Sequence, residues 1–261
     1  MAGVDWAAST VEAAGRKLHL MRAGRGRPVV VLHHETGTLD RLPFYDALAQ
    51  HYDVLVPHHP GYSRSERPDW MRSTRDIAVI YRGLLSELGV HSSALVGLGF
   101  GGWIAAEMAS MAPAETSHLV LVGAMGIKPT QGDILDLAVT GYIDYARAGF
   151  HDQAAFDRVY GAEPAAEQLE MWDICREMSF RIAWKPYMYS QTLPHLLGAV
   201  HAPALVVWGD DDKVVPLSAG KAYVKALPDA RLEVVKACGH CVDMEQPEAL
   251  ASLVTNFIGR E

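Results

Sequence analysis

The sequence predicts an α/β fold, a mostly parallel sheet flanked by helices and carrying an inserted helical segment, and three observations support that expectation. Short apolar runs rich in Val and Leu recur at 29–33, 54–57, 94–98, 119–123, 204–208 and 232–235. Runs of this length suit parallel strands covered on both faces. Stretches of helical periodicity lie between them, and such alternation implies right-handed crossovers in one sheet. The third observation is an interruption: from 126 to 200 there is no strand pattern, but aromatic residues are dense.

Taken in order, residues 17–21 can pair with 9–13 across Ala14-Gly15 as a leading hairpin. The stretch 76–88 places Ile77, Ile80, Tyr81, Leu84, Leu85 and Leu88 on one helical stripe. Ser73 with Asp76 offers a capping box at its start, and Gly89 a stop at its end. Residues 104–111 read as an Ala-rich helix, and 247–258 repeats the stripe through Leu250, Leu253, Val254 and Phe257. The domain expectation is a core of 1–125 and 200–261, with 126–199 inserted as a helical cap at the carboxyl edge of the sheet. Ligands bind at that edge in open α/β sheets. Most of the insertion's aromatic residues, Tyr145, Phe156 and Trp172 among them, are expected to form the cap's own small core.

Bulk composition narrows the function classes. Of 261 residues, 49% are hydrophobic, ample for a large core, so disorder is excluded. A net charge of −8 argues against nucleic-acid binding, which needs a basic face. The first 20 residues have no apolar signal core, and no apolar run approaches the about 20 residues needed to span a bilayer. Three cysteines do not make a disulfide framework. The expectation is a cytoplasmic protein acting on a small molecule, with no membrane or nucleic-acid partner and with self-association left open.

The most specific segment is Leu95-Val96-Gly97-Leu98-Gly99-Phe100-Gly101-Gly102-Trp103, a strand running into a Gly-rich turn and then a helix. It resembles the nucleophile elbow, Gly-x-Ser-x-Gly, of the α/β-hydrolase superfamily. Further segments resemble that family in its own order. Leu32-His33-His34-Glu35-Thr36-Gly37 stands in the place of the oxyanion loop. Pro57-His58-His59-Pro60-Gly61-Tyr62-Ser63 resembles a glycine turn with Ser63 at its second glycine. Trp208 to Pro216 resembles the loop of the triad acid, and Cys238-Gly239-His240 that of the triad histidine. The resemblance spans nearly the whole chain and implies the capped small-molecule branch of esterases, lactonases and C–C hydrolases. It assigns Asp212 as the acid, with Asp210 and Asp211 as exposed loop residues, and His240 as the base. It makes the amides of Phe100 and Glu35 the oxyanion donors. The departure is Gly99, which stands at the nucleophile position and has no side chain to attack a substrate.

Three readings follow from that departure. In one, the His240–Asp212 dyad acts as general base on water or substrate, on an ester, lactone or C–C bond of a small apolar or aromatic carbonyl compound. In another, the chain is an ordinary serine hydrolase whose serine has been replaced by Gly99. In the third it binds a ligand without turnover, although a pure binding pocket has no need of an Asp–His pair. His34, Trp184 and Arg181 are candidate substrate contacts, and the Glu35 or His34 side chain is a candidate for proton transfer. Cys241, beside the base, is expected to be structural. The pairs His33-His34 and His58-His59 lack the spacing of ligands on one face, so no metal is expected. No cofactor is expected either, since a dinucleotide reading of the glycine turn lacks an acidic ribose partner.

Overall fold

The computed structural model describes residues 4–259. Strands β1 (Ala7–Ala13) and β2 (Arg16–Gly24) form the leading hairpin, with Ala13 opposite Arg16. Both turn residues, Ala14 and Gly15, have positive φ, 51° and 69°. That is the geometry of a two-residue turn whose twist matches the strands. The sheet continues through β3 (Pro28–Leu32), β4 (Asp53–Pro57), β5 (Ser93–Leu98), β6 (Thr116–Val122), β7 (Ala204–Gly209) and β8 (Ala230–Val235). Its eight strands run in the order β1-β2-β4-β3-β5-β6-β7-β8. Every pair from β4 to β8 is parallel, and β2 is antiparallel to both of its neighbours.

Strand periodicity sends alternate side chains to opposite faces, so each apolar strand builds two cores. Val30, Leu32, Leu95 and Leu121 meet helices α2 (Thr74–Glu87), α3 (Phe100–Met111) and α8 (Leu217–Ala226) on one face. Val29, Val31, Val96 and Val120 meet α1 (Pro43–Ala49) and α10 (Pro247–Ile258) on the other. The α2 stripe is buried as its spacing predicts, and Ser73 with Asp76 forms a full capping box. Helix α3 begins at Phe100, four residues before the expected start at Ile104, because the turn at Gly99 feeds directly into helical hydrogen bonding.

Between β6 and β7 the chain forms α4 (Tyr142–Ala148), α5 (Gln153–Tyr160), α6 (Ala166–Ala183) and α7 (Leu193–Leu196). A single isolated bridge, Gly126 to Tyr189, is its extended pairing among the described residues. Helix α6 buries Trp172, Cys175, Met178, Ser179 and Ile182 at three- and four-residue spacing, leaving Asp173, Glu177 and Arg181 outward. Phe150, Phe156, Tyr160 and Trp172 pack edge-to-face or tilted against one another in this segment. Among the described residues no helix is long and apolar enough to cross a membrane.

The capping box is testable without touching the site. Ser73→Ala is expected to lower stability by about 1 kcal/mol in urea unfolding, the usual value of an N-cap side chain. A change under about 0.3 kcal/mol would mean that the reciprocal bonds to Asp76 contribute little.

Candidate active site

Four parallel strands deliver the site from their carboxyl ends. β3 runs into His33 to Glu35, β5 into Gly99, β7 into the loop of Asp212, and β8 into the loop of His240. Gly99 lies at φ 51°, ψ −114° and caps α3. Its neighbour Gly101 is there for contact: a Cβ at 101 would stand 2.1 Å from the Leu32 carbonyl oxygen. The absence of that carbon lets the β3 loop close onto the elbow, where the Gly101 N–H donates to the His33 carbonyl at 3.0 Å.

The structure brings His240 and Asp212 together, with His240 Nδ1 2.9 Å from Asp212 Oδ2 and both side chains buried. The other Asp212 oxygen accepts the N–H groups of Val214 and Val215 at 2.9 and 2.8 Å, which fixes the carboxylate's orientation. Asp210 and Asp211 bind outward, to Lys236 at 3.4 Å and to Lys213 at 3.0 Å. Burial pushes the His240 pKa down, but Asp212, and then Glu35 and Asp243, outweigh it and raise it to about 9.

Glu35, the candidate for proton transfer, enters the site through its side chain. Its carboxylate lies there, 1% exposed. Oε2 accepts the Phe100 N–H at 3.3 Å, Oε1 accepts the Tyr145 hydroxyl at 3.0 Å, and Oε1 lies 3.8 Å from His240 Nε2. The amide assigned to a developing oxyanion is thus already bonded to a carboxylate, and a second anion beside it would be repelled. His34 points inward too. Its Nε2 bonds Asp243 Oδ1 at 2.8 Å, and its ring centroid is 5.1 Å from that of His240. His34 Nδ1 and His240 Nε2 are both buried without a hydrogen-bond partner. A Cβ built on Gly99 would lie 2.6 Å from His34 Nδ1, 2.7 Å from Glu35 Oε2 and 2.9 Å from His240 Nε2.

Two candidate substrate contacts lie elsewhere. Arg181 pairs with Glu177 one turn away at 2.9 Å, and Trp184 is 52% exposed; both line an open groove on the outer face of α6. Their spacing puts them opposite the helix's buried stripe, which aromatic content alone did not reveal. The site's own cleft, about 10 Å³, is bounded instead by Glu35, Tyr145, Phe150, Tyr160, His240 and Cys241. The Cys241 thiol is buried, and burial followed by the charge of Asp243 pushes its pKa well up, keeping it protonated. His33 and His59 are scaffold: they stack at 3.6 Å, and the His59 N–H donates to His33 Nε2 at 2.9 Å. Burial drives His33 well below its usual pKa and His59 to about 3.

Tyr145 and Asp243 are the partners that sequence reasoning missed. Asp243 had a usable signal, an acid three residues after the triad-like histidine at the start of a short helix, α9 (Val242–Glu245). Tyr145 had none beyond its place in an aromatic-rich segment.

A sequence profile described as "Alpha/beta hydrolase family" matches residues 5–253. A 2-hydroxymuconate semialdehyde hydrolase from a Pseudomonas strain is 30% identical, over 94% of this chain and 92% of its own. A 2-hydroxy-6-oxononadienedioate/2-hydroxy-6-oxononatrienedioate hydrolase of Paraburkholderia phymatum is 29% identical, over 94% and 91% of the two chains. Among solved structures, a meta-cleavage product hydrolase of Pseudomonas fluorescens superposes with a TM-score of 0.79 at 21% identity. The match covers 95% of this chain and 96% of that one, a likeness of fold.

The bond from Tyr145 to Glu35 has a measurable consequence. Tyr145→Phe removes the donor from a buried carboxylate oxygen and is expected to cost about 1–3 kcal/mol of stability. Thermal and urea unfolding check it; an unchanged midpoint would show that Glu35 does not need this donor.

Proposed function

The chain belongs to the alpha/beta hydrolase family and is an α/β-hydrolase-fold enzyme, and on that premise we propose that it hydrolyses a small carbonyl compound without a covalent enzyme intermediate. The substrate class is an apolar or aromatic ester, lactone or activated C–C bond. The names of the relatives favour the C–C bond of a 2-hydroxy-6-oxo diene acid. Hydrolysis adds water across the bond: the hydroxyl goes to the carbonyl carbon and the proton to the departing carbon. In this reading the attacking oxygen belongs to water held over Gly99. His240, oriented by Asp212, handles the proton, and Glu35 and His34 complete the ring of polar groups. Residues 126–199 act as the cap, contributing Tyr145 and Phe150 to the cleft. A cleft of this size admits a diene acid only if the cap segment moves outward.

One observation carries the reading: three anchored polar groups, belonging to His34, Glu35 and His240, stand within 3 Å of where a residue-99 Cβ would be. That crowding weighs against a replaced serine. A serine side chain at 99 would require the ends of the His34, Glu35 and His240 side chains to shift. Retention of two buried His–Asp pairs weighs against a pocket that only binds.

The test uses hydrolysis of small activated esters and of a 2-hydroxy-6-oxo diene acid, with products separated by chromatography. His240→Ala and Glu35→Gln are each expected to lower kcat by about 10²-fold or more, the range of general acid–base contributions. Gly99→Ser is expected to gain no activity. An acyl adduct on the wild-type chain by mass spectrometry, or a large rise in esterase turnover on Gly99→Ser, would falsify the proposal.

A further inference from the structure

The same ring of groups has the composition of a metal centre. We propose that His34 Nδ1, Glu35 Oε2 and His240 Nε2 hold a divalent first-row transition ion over Gly99. These donors lie within 4.8 Å of one another and all three residues are buried. All three crowd the space beside Gly99, at 2.6, 2.7 and 2.9 Å from where a Cβ would be built; an ion would lie farther out, because that point is only about 1.5 Å from the Cα. Binding at ordinary Zn–N and Zn–O distances of roughly 2.0–2.2 Å requires the three side-chain ends to close around a point beyond contact with that Cα. Two imidazoles and a carboxylate leave further coordination positions open, as zinc hydrolytic sites and non-haem iron sites do.

Three further observations point to a cation. The two nitrogens facing the position, His34 Nδ1 and His240 Nε2, are the ones left without hydrogen-bond partners. Each ring's other nitrogen is bonded to a carboxylate, Asp243 at 2.8 Å and Asp212 at 2.9 Å. Those bonds orient the rings as outer carboxylates orient metal-binding histidines; at His240, whose pKa is raised to about 9, an ion would have to displace the proton on Nε2. The charge balance agrees. Glu35, Asp212 and Asp243 bring three buried carboxylates, and each has an imidazole as its only ion-pair partner among the described residues. Buried anions in excess are costly unless a cation compensates them.

A second cluster, His19, Asp40 and His58, also brings three donors together. It already has its cation: Arg64 lies 2.8 Å from Asp40 and 3.5 Å from His19 Nε2. The guanidinium neutralises the one carboxylate and repels an ion, so this cluster serves as the internal control. Sequence spacing argued against any metal, because the adjacent histidines cannot converge on one point. The structure instead recruits one member of the first pair and a histidine from the far end of the chain.

The inference rests on the non-covalent reading and supplies its missing part. A divalent ion acts as a Lewis acid and acidifies a water that it holds. With an ion bound, His240 would serve as its ligand; without one it keeps the proton-handling role proposed above.

The experiment uses the full chain without a histidine tag, stripped with EDTA and titrated with Zn²⁺ by calorimetry and with Co²⁺ by visible absorption. The expected result is about one ion per chain. Gly99→Ala, whose methyl group would push the three donors apart, and Glu35→Gln should each weaken binding about tenfold or more. His19→Ala should leave it unchanged, and circular dichroism confirms that each variant is folded. Absence of one-to-one uptake, or equal uptake by wild type, Gly99→Ala and Glu35→Gln, overturns the site. Turnover is measured in parallel. No uptake with turnover intact removes the ion and leaves the water-based reading standing. Uptake with no turnover on any carbonyl substrate supports the ion and removes that reading.

Discussion

The missing Cβ at Gly99 is the constraint on which the arrangement of the site depends, because His34, Glu35 and His240 fill the space around it. Each is held from a different part of the chain. Asp243 on α9 holds His34, Tyr145 on α4 holds Glu35, and Asp212 in the loop after β7 holds His240. A side chain at 99 would have to shift the ends of these side chains. The elbow's other glycines serve the same end, since Gly101 lets the β3 loop approach closely enough for His34 and Glu35 to reach across.

Around that point the polar groups divide into two kinds. His33 and His59 are neutral scaffold, stacked on each other and bonded to backbone and to Tyr81, and burial keeps them uncharged. They fix the path of the chain after β3 and β4. His34 and His240 lie beside carboxylates and turn one nitrogen each toward Gly99. The distinction is one of hydrogen-bond supply. A buried imidazole with both nitrogens satisfied is structure, and one with an unpaired nitrogen aimed at a shared point has capacity for a ligand.

The helical segment between β6 and β7 is tied to this centre more tightly than a lid resting on its own core. The Cys241 N–H donates to the Gly149 carbonyl at 2.9 Å, and the Gly239 N–H and the N–H groups of His151 and Asp152 all meet the Glu245 carboxylate. Any motion that widens the cleft is therefore coupled to the loop that carries His240.

The layered fold was legible in the chain because its signals are local. Strand length, the α2 stripe, the Ser73 cap and the turn at Ala14-Gly15 each depend on neighbours a few residues apart. The resemblance carried by the elbow and the two late loops also pointed to Asp212 and His240. Which side chains converge was decided only by tertiary structure. Arg181 and Trp184 fell on the outer face of α6, whereas Tyr145 and Asp243, unremarkable in sequence, became anchors. Strand order and loop closure set those distances, and neither leaves a periodicity in the residues. The glycine at 99 was visible as an absence in the sequence; what stands around it became visible once four strand ends met.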